Sequence, residues 1–181
     1  MNSMRREEIK ENTESFYEEM IRRNSETVYR LAYSLVRSRS DADDIYQEVF
    51  LRYVRKKPVF DGREHEKAWF LRVTVNCCKN YWKSPWMQRR SGLDDEALEK
   101  ESLEKGASRE KEDADQTLIE TVKKLPEKYR VVIHLFYYEE LSVEEIGKIT
   151  RSKPATVRTR LTRARRMLKK LLEEKGEDFH V

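Results

Sequence analysis

Residues 141–165 read LSVEEIGKITRSKPATVRTRLTRAR and contain the start signals of two helices separated by a short polar turn. Ser142 is followed three residues later by Glu145, which is the pattern of a capping box. Pro154 stands where a first helical residue is favoured. Because a short helix, a tight turn and a longer helix are the parts of a helix-turn-helix, this stretch predicts that motif.

The second of these helices combines cations with an apolar stripe. Between Lys148 and Leu172, ten of 25 residues are Lys or Arg and none is acidic. A buried stripe surrounded by cations is typical of a helix that docks on a core and meets a nucleic-acid backbone, although basic amphipathic helices also bind membranes. The stripe has alternating spacings of four and three and consists of Val157, Leu161, Ala164, Leu168 and Leu171.

In a helix-turn-helix the second helix enters the major groove, where Arg can bond guanine and Thr can touch a thymine methyl group. The alternative is a helical hairpin with an incidental basic surface. The positions predicted to meet base edges are Thr156, Arg158, Thr159, Thr162 and Arg163. Those predicted to meet phosphates are Lys153, Arg165, Arg166 and Lys169.

Composition favours an all-α fold built from two small domains. The 181 residues include 40% charged side chains, five Gly and four Pro, and the mean hydropathy is −0.92. These values indicate thin helical cores and a polar connection rather than one large core. Residues 91–115 hold ten acidic and four basic side chains, which predicts a solvated acidic linker between the domains.

Three helices are predicted before the linker. An amphipathic pattern covers 13–37, Asp41 is expected to cap a second helix over 42–56, and a loop over 58–66 leads to an aromatic-rich helix over 67–83. The apolar positions of the first of these helices are Phe16, Met20, Val28, Leu31, Ala32, Leu35 and Val36.

No enzyme chemistry stands out. Cys77 and Cys78 are adjacent, so they form no ordinary disulfide framework and a poor metal site, and we expect buried or idle thiols. The chain shows no phosphate-cradling loop, no nucleophile with a base, and no cofactor motif. A charged N-terminus and the absence of a long apolar run predict a cytoplasmic protein without membrane insertion.

The motifs occur in an order that resembles a known family. The segments that resemble the C-terminal promoter-binding domain of bacterial RNA polymerase sigma factors are LPEKYR (125–130), LSVEEI (141–146), ATVRTRL (155–161) and RAR (163–165). Those that resemble the other sigma domain are DADDIYQEVF (41–50) and WFLRVTVN (69–76). With two domains and a short connector, the chain is similar to the extracytoplasmic-function (ECF) class.

This resemblance implies a domain organisation. The expected parts are an N-terminal extension (1–12), a region 2 domain (13–84), the acidic linker (85–115), a region 4 domain with the helix-turn-helix (116–175) and a tail (176–181). It also implies a non-enzymatic factor that binds core RNA polymerase, recognises the minus-10 and minus-35 promoter elements and promotes DNA melting. Members of this class are commonly restrained by an anti-sigma factor, so such a partner is implied too.

The resemblance also assigns roles to residues. The polar face that would dock on the beta-prime coiled coil is Asp44, Gln47, Glu48 and Arg52. The residues that would capture the minus-10 strand are Phe60, Asp61, Gly62 and Arg63 in the loop, with Asn76, Lys79, Asn80 and Lys83 on the following helix. The minus-35 readers would be the exposed residues of the basic helix named above.

Three positions depart from the family pattern. Arg151 and Ser152 stand where the turn usually carries glycine and an apolar residue, and Gly147 stands where alanine is common. A non-glycine residue in a left-handed conformation would cost roughly 1 kcal/mol, and Gly147 is expected to allow close packing. The alternative function is a helix-turn-helix repressor or activator that acts without a sigma role.

Overall fold

The computed structural model describes residues 2–36, 38–85, 118 and 120–173, with side chains from residue 15 onward. Within these ranges the chain is helical and contains no strand, which confirms the all-α class. Apart from Pro85, the predicted linker (85–115) and the predicted tail (176–181) lie outside the described residues. The helices are α1 (Asn2–Leu35), α2 (Arg39–Lys56), α3 (Arg63–Lys83), α4 (Glu127–Tyr137), α5 (Val143–Thr150) and α6 (Pro154–Glu173).

Helices α1 to α3 pack into one bundle, called here the N-terminal domain. Leu31 of α1, Val49 of α2 and Phe70 of α3 are all fully buried in it. Helix α1 begins well before the predicted residue 13, because residues 5–11 (RREEIKE) are mostly strong helix formers.

Two helix starts differ from the prediction. Ser38, not Asp41, caps α2: its Oγ accepts the Asp41 N–H at 3.1 Å and donates to Asp41 Oδ2 at 2.6 Å. Asp41 is therefore a buried first-turn residue, because the earlier serine already satisfies its backbone N–H. Helix α3 begins at Arg63 rather than near residue 67, directly after Gly62, whose φ of 144° favours glycine.

The helices after the linker form the C-terminal domain, which comprises residue 118 and residues 120–173. The predicted capping box is confirmed, with Glu145 N–H donating to Ser142 Oγ at 3.2 Å and Ser142 N–H donating to Glu145 Oε2 at 2.8 Å. The predicted stripe of α6 is buried at Val157, Leu161 and Ala164 and half-buried at Leu168 and Leu171. Helix α6 therefore docks as the sequence predicts.

The two domains pack directly against each other. Helix α3 lies against α5 and α1 lies against α4, and the buried side chains of both domains form one continuous hydrophobic cluster. The sequence predicted two thin and separate cores instead. The continuous cluster shows that each domain covers apolar surface of the other.

Candidate nucleic-acid and polymerase interfaces

A tight turn sets the start of α6. Arg151 is left-handed, with φ 56°, and the Ser152 N–H donates to the Gly147 carbonyl at 2.9 Å. A Cβ on Gly147 would lie 2.8 Å from the Ser152 carbonyl oxygen. Arg151 thus takes the left-handed conformation in spite of its cost, and Gly147 allows a close approach to the backbone of the turn.

Helix α6 exposes every predicted minus-35 residue to solvent. The threonines use their hydroxyl protons within the helix, since Thr159 donates to the Ala155 carbonyl at 3.0 Å and Thr162 donates to the Arg158 carbonyl at 3.1 Å. They can therefore offer a methyl group to thymine more readily than a proton to a base. The exposed residues are Lys153, Thr156, Arg158, Thr159, Thr162, Arg163, Arg165 and Arg166.

Two of the arginines on α6 are already held by neighbours. Arg158 forms a 2.9 Å ion pair with Glu144, and both side chains are exposed. Such a surface pair contributes about 0 to 1 kcal/mol, so DNA can displace it. Arg165 donates from Nε to the Tyr137 hydroxyl at 2.7 Å and lies 5.3 Å from the Phe136 ring centre. Arg165 therefore has to leave its contacts with α4, or reach past them, to make the predicted phosphate contact.

The loop between α2 and α3 borders a groove of about 460 Å³. Phe60 is half-buried and stacks on Tyr53, with 6.4 Å between ring centres, whereas Asp61, Gly62 and Arg63 are exposed. The walls of the groove are aromatic and its rim is basic. The aromatic residues that line it are Tyr17, Tyr53 and Phe60, and the basic ones are Arg23, Lys57 and Arg63.

The acidic residue in this groove is neutralised. Glu66 is buried and accepts two hydrogen bonds from Arg23, each at 2.9 Å, and one from Asn24 at 2.6 Å. A paired carboxylate does not repel an anionic ligand as a bare one would. The groove therefore suits a flat, negatively charged ligand.

Part of this groove was not found from the sequence. Phe16 was predicted on the buried side of α1, but its side chain is 55% exposed and its ring meets Tyr17 edge-on at 6.0 Å. The prediction failed because Met20 lies at the edge of the core, and one turn before it α1 borders open space. Tyr17 gave no signal, because aromatic residues in amphipathic helices usually belong to the core.

The predicted minus-10 residues of α3 lie outside the groove, and one of them contacts the C-terminal domain. Asn80 and Lys83 are exposed, and Asn76 is half-buried. Lys79 donates to the Thr150 carbonyl at 3.3 Å, at the end of α5. Burial lowers the pKa of Lys79, and repulsion from nearby cations lowers it further. The structure therefore does not gather the predicted minus-10 residues into one surface.

The predicted polymerase-docking face lies on α2. Asp44 and Gln47 are exposed, and Arg52 donates to Glu48 at 2.6 Å. Two apolar residues that the sequence analysis missed, Leu51 (48% exposed) and Val54 (40% exposed), lie next to them at helical spacing from Gln47. The sequence could have indicated their exposure, because both residues fall outside the buried stripe of α2.

The adjacent cysteines are buried, as expected. Burial raises the pKa of the Cys77 thiol to about 11 and also raises the pKa of Cys78. Both thiols therefore stay protonated, and this is the unreactive form. Across the described ranges, His, Cys, Asp and Glu side chains do not gather in groups of three or more that could hold a metal ion.

A helix-turn-helix with an exposed basic helix, packed on a second helical domain with an aromatic and basic groove, defines a DNA-binding protein. The Sigma-70 region 2 family model matches residues 20–87, and the Sigma-70, region 4 model matches residues 115–168. The matches cover both domains in the order that the motifs predicted.

The curated relatives of this chain are also RNA polymerase sigma factors. The RNA polymerase sigma factor SigV of Bacillus subtilis is 31% identical over 160 residues, covering 88% of this chain and 93% of SigV. The ECF RNA polymerase sigma factor SigW of the same organism is 27% identical, covering 96% and 98% of the two chains. The ECF RNA polymerase sigma-E factor of Escherichia coli is 33% identical over 135 residues, covering 69% and 70%.

The chain belongs to the ECF family of RNA polymerase sigma factors and acts in promoter recognition. The repressor or activator alternative is not favoured. Sigma factors are transcription initiation factors that bind core RNA polymerase and promoter DNA. In the part of the chain that the structure describes, no helix is both long and apolar enough to cross a membrane.

Solved structures share the fold. The sigma factor RpoE of Bartonella quintana, solved with the anti-sigma factor NepR, matches with a TM-score of 0.61 and 18% identity over 87% of this chain and 96% of that chain. CnrH, solved with the cytosolic domain of CnrY, matches with a TM-score of 0.59 and 20% identity over 87% and 88%. At these identities the likeness supports the fold alone.

Proposed function

We propose a division of promoter contacts between the two domains. Helix α6 reads the minus-35 element, the groove beside residues 57–62 holds an unpaired base of the minus-10 strand, and the outer face of α2 docks on the beta-prime coiled coil of core polymerase. The groove is the observation that carries this proposal, because it places rings and cations together beside the predicted loop. The proposed domain boundaries are 13–84 and 116–175, with the acidic linker over 85–115.

The minus-35 role of α6 follows from its exposed chemistry. Arg158 and Arg163 supply guanidinium groups for base edges, and Thr159 and Thr162 supply methyl groups. Lys153 in the preceding turn and the other exposed cations of α6 lie along the flanks, where they meet phosphates and fix the helix in the major groove.

The minus-10 role follows from the walls of the groove. Stacking of a base on an aromatic ring contributes about 1 to 3 kcal/mol, and the partly exposed rings of Tyr17 and Phe60 can provide it. Arg63 and Lys57 provide cations for the backbone on either side of the base. Strand separation is favoured when the extruded base gains these contacts.

The docking role of α2 follows from an apolar centre with a polar rim. Leu51 and Val54 give the face apolar area that a purely solvated surface would lack, and Gln47, Glu48 and Asp44 surround it with polar groups. Protein interfaces have this arrangement, in which the centre supplies affinity and the rim supplies orientation.

The proposal also covers catalytic activity, cellular location and a regulatory partner. We infer that the protein has no catalytic activity of its own and works in the cytoplasm, where core polymerase is found. An anti-sigma factor is a further proposed partner, because RpoE shares the fold and was solved with the anti-sigma factor NepR.

The test is run-off transcription with purified core polymerase on a candidate promoter. Phe16→Ala and Arg63→Gln should reduce open-complex formation without reducing binding to duplex minus-35 DNA. Arg22→Gln, which removes an exposed cation from α1 outside the groove, is the matched control and should behave as the wild type. Duplex binding by a free dimer without promoter-dependent initiation would instead support a repressor.

A further inference from the structure

The contact between the two domains is organised around one buried carboxylate. Glu139 follows α4, and its side chain is 1% exposed. Arg30 of α1 and Lys67 of α3 each approach it to 2.9 Å. A carboxylate of the C-terminal domain is thus held by two cations of the N-terminal domain.

A histidine completes this cluster. His134 of α4 is also 1% exposed, and its Nδ1 is hydrogen-bonded to the Ser34 hydroxyl of α1 at 2.7 Å. Its Nε2 lies 3.6 Å from Glu139. Because an uncompensated buried charge is strongly unfavourable, Glu139 can stay in this position only while Arg30 and Lys67 accompany it.

At the other end of the interface, positively charged side chains of the two domains lie close to each other. Lys79 of α3, which donates to the Thr150 carbonyl, lies among the cations Arg160, Arg151 and Lys83; burial lowers the pKa of Lys79 most, and repulsion from these cations lowers it further. Their mutual repulsion works against closure, whereas the Glu139 cluster favours it. The closed arrangement therefore depends on a local attraction that offsets a local repulsion.

We propose that Glu139, Arg30 and Lys67 form an autoinhibitory latch that holds the two domains closed and keeps Lys79 bound to α5 instead of to single-stranded DNA. The part concerning Lys79 rests on the proposed minus-10 function and on the predicted contact of Lys79 with that strand. Phosphates that neutralise Lys79, Lys83 and their neighbours favour the open form, since they bind cations that the closed form presses together.

The latch is tested on the full chain by small-angle X-ray scattering. Glu139→Gln and Lys67→Met should each increase the radius of gyration, and the double variant should open the chain no further than Glu139→Gln alone, because Lys67 acts through its ion pair with Glu139. Glu140→Gln removes the neighbouring exposed charge and is the matched control, with wild-type scattering expected.

The inhibitory role is tested with a fluorescent oligothymidylate as the single-stranded probe. If the closed form makes up about nine tenths of the molecules, opening raises the apparent affinity about tenfold. Circular dichroism checks that each variant keeps wild-type helicity. Should Glu139→Gln unfold, Lys67→Met decides the matter, because its side chain is 42% exposed and its loss leaves no cavity in the core.

Three results would overturn the proposal. They are unchanged scattering in a folded Lys67→Met variant, equal opening by Glu140→Gln, and an opened chain with wild-type affinity for the probe. Run-off transcription by the wild-type protein separates this failure from failure of the proposed function, since it reports promoter-dependent initiation whether or not the latch exists.

Discussion

At the scale of single residues, Arg158 and Arg163 on α6 differ in what must change before each can meet a base. Arg158 has to leave Glu144, which lies 2.9 Å away, whereas Arg163 is exposed on the same helix. Any base contact of Arg158 therefore replaces an existing ion pair. Arg163 should contribute more to net affinity.

Replacing Arg163 with Ala should weaken binding to duplex promoter DNA by about 1 to 3 kcal/mol and relax the sequence preference at one base pair. Arg158→Ala should cost less, because the wild-type side chain gives up Glu144 on binding. Fluorescence anisotropy against a set of single-base-pair promoter variants measures both effects. A uniform loss over every sequence would show that Arg163 contacts a phosphate.

The sequence predicted these exposed cations well but did not predict every residue of the candidate site. Charge and helical spacing are enough to place Arg163 on the outer side of α6. They do not reveal that Phe16 borders a groove or that Leu51 is exposed, since an apolar residue near a buried stripe is normally part of the core. Such residues are recognised only when the neighbouring element is in place.

At the scale of elements, the close approach between α5 and the following turn limits the residue at position 147. Gly147→Ala would gain about 1 kcal/mol of helix propensity. The added Cβ would lie 2.8 Å from the Ser152 carbonyl oxygen, and overpacking of this kind costs about 1 to 3 kcal/mol. We therefore expect a net loss of stability, measurable as a lower urea midpoint, with exposed Lys148→Ala as the near-neutral control.

An unchanged or higher midpoint for Gly147→Ala would show that the turn shifts at little cost. That result would contradict the close packing inferred here. It would also remove the reason for glycine where the family commonly has alanine.

The outer face of α2 provides a second prediction at this scale. Leu51→Ser should weaken association with core polymerase by about 1 to 2 kcal/mol, because an apolar contact near the centre of an interface is lost. Replacing Gln47 and Glu48 with Ala should weaken the same association while DNA binding by α6 stays intact. Surface plasmon resonance with immobilised core polymerase measures the first effect, and Lys124→Ser is an exposed control on the other domain.

If polymerase and DNA binding fell equally in these variants, the roles of the two domains would not be separate. If Lys124→Ser weakened polymerase binding as much as Leu51→Ser, the loss would not be specific to α2.

Helix starts were predictable where one capping signal stood alone. Ser142 and Glu145 fixed the start of α5, and the structure agrees. Ser38 and Asp41 were both acceptable caps for α2, and the earlier one prevails because Asp41 then also bonds back to it. Competition between nearby caps is decided by geometry that the sequence does not contain.

At the scale of the whole molecule, the packing of the two domains could not be predicted. The contact joins Arg30 to Glu139 across 109 residues and Lys67 to Glu139 across 72. Isolated charged residues at such separations give no periodic signal. In a chain with 40% charged residues, nothing distinguishes Glu139 from an exposed acid before the fold is known.

The same buried cluster gives the interface a dependence on pH. Burial is the largest influence on His134 and lowers its pKa below the ordinary 6.5, although Glu139 acts in the opposite direction and Arg30 acts with burial. Because the pKa of His134 is lower in the folded protein than in the unfolded chain, neutral His134 contributes fully to the stability of the fold above pH 6.5. This contribution is lost as the pH falls from 6.5 toward the lower pKa of the folded protein. Glu139, whose pKa is lowered to about 2, loses its contribution only between its ordinary 4.5 and about 2.

Acidification from pH 7 to about 5 should therefore loosen the interface through His134 alone, while the carboxylate of Glu139 stays charged. The groups that face His134 are Ser34 and Arg30 on α1, with Tyr138 and Glu139 after α4, and none of them has an ordinary pKa in this window. The free energy of unfolding, measured by urea titration at each pH, should fall over this range in the wild type and much less in His134→Gln. His65→Gln removes an exposed histidine and should keep the wild-type slope, so equal slopes in all three proteins would show that His134 is not the titrating group.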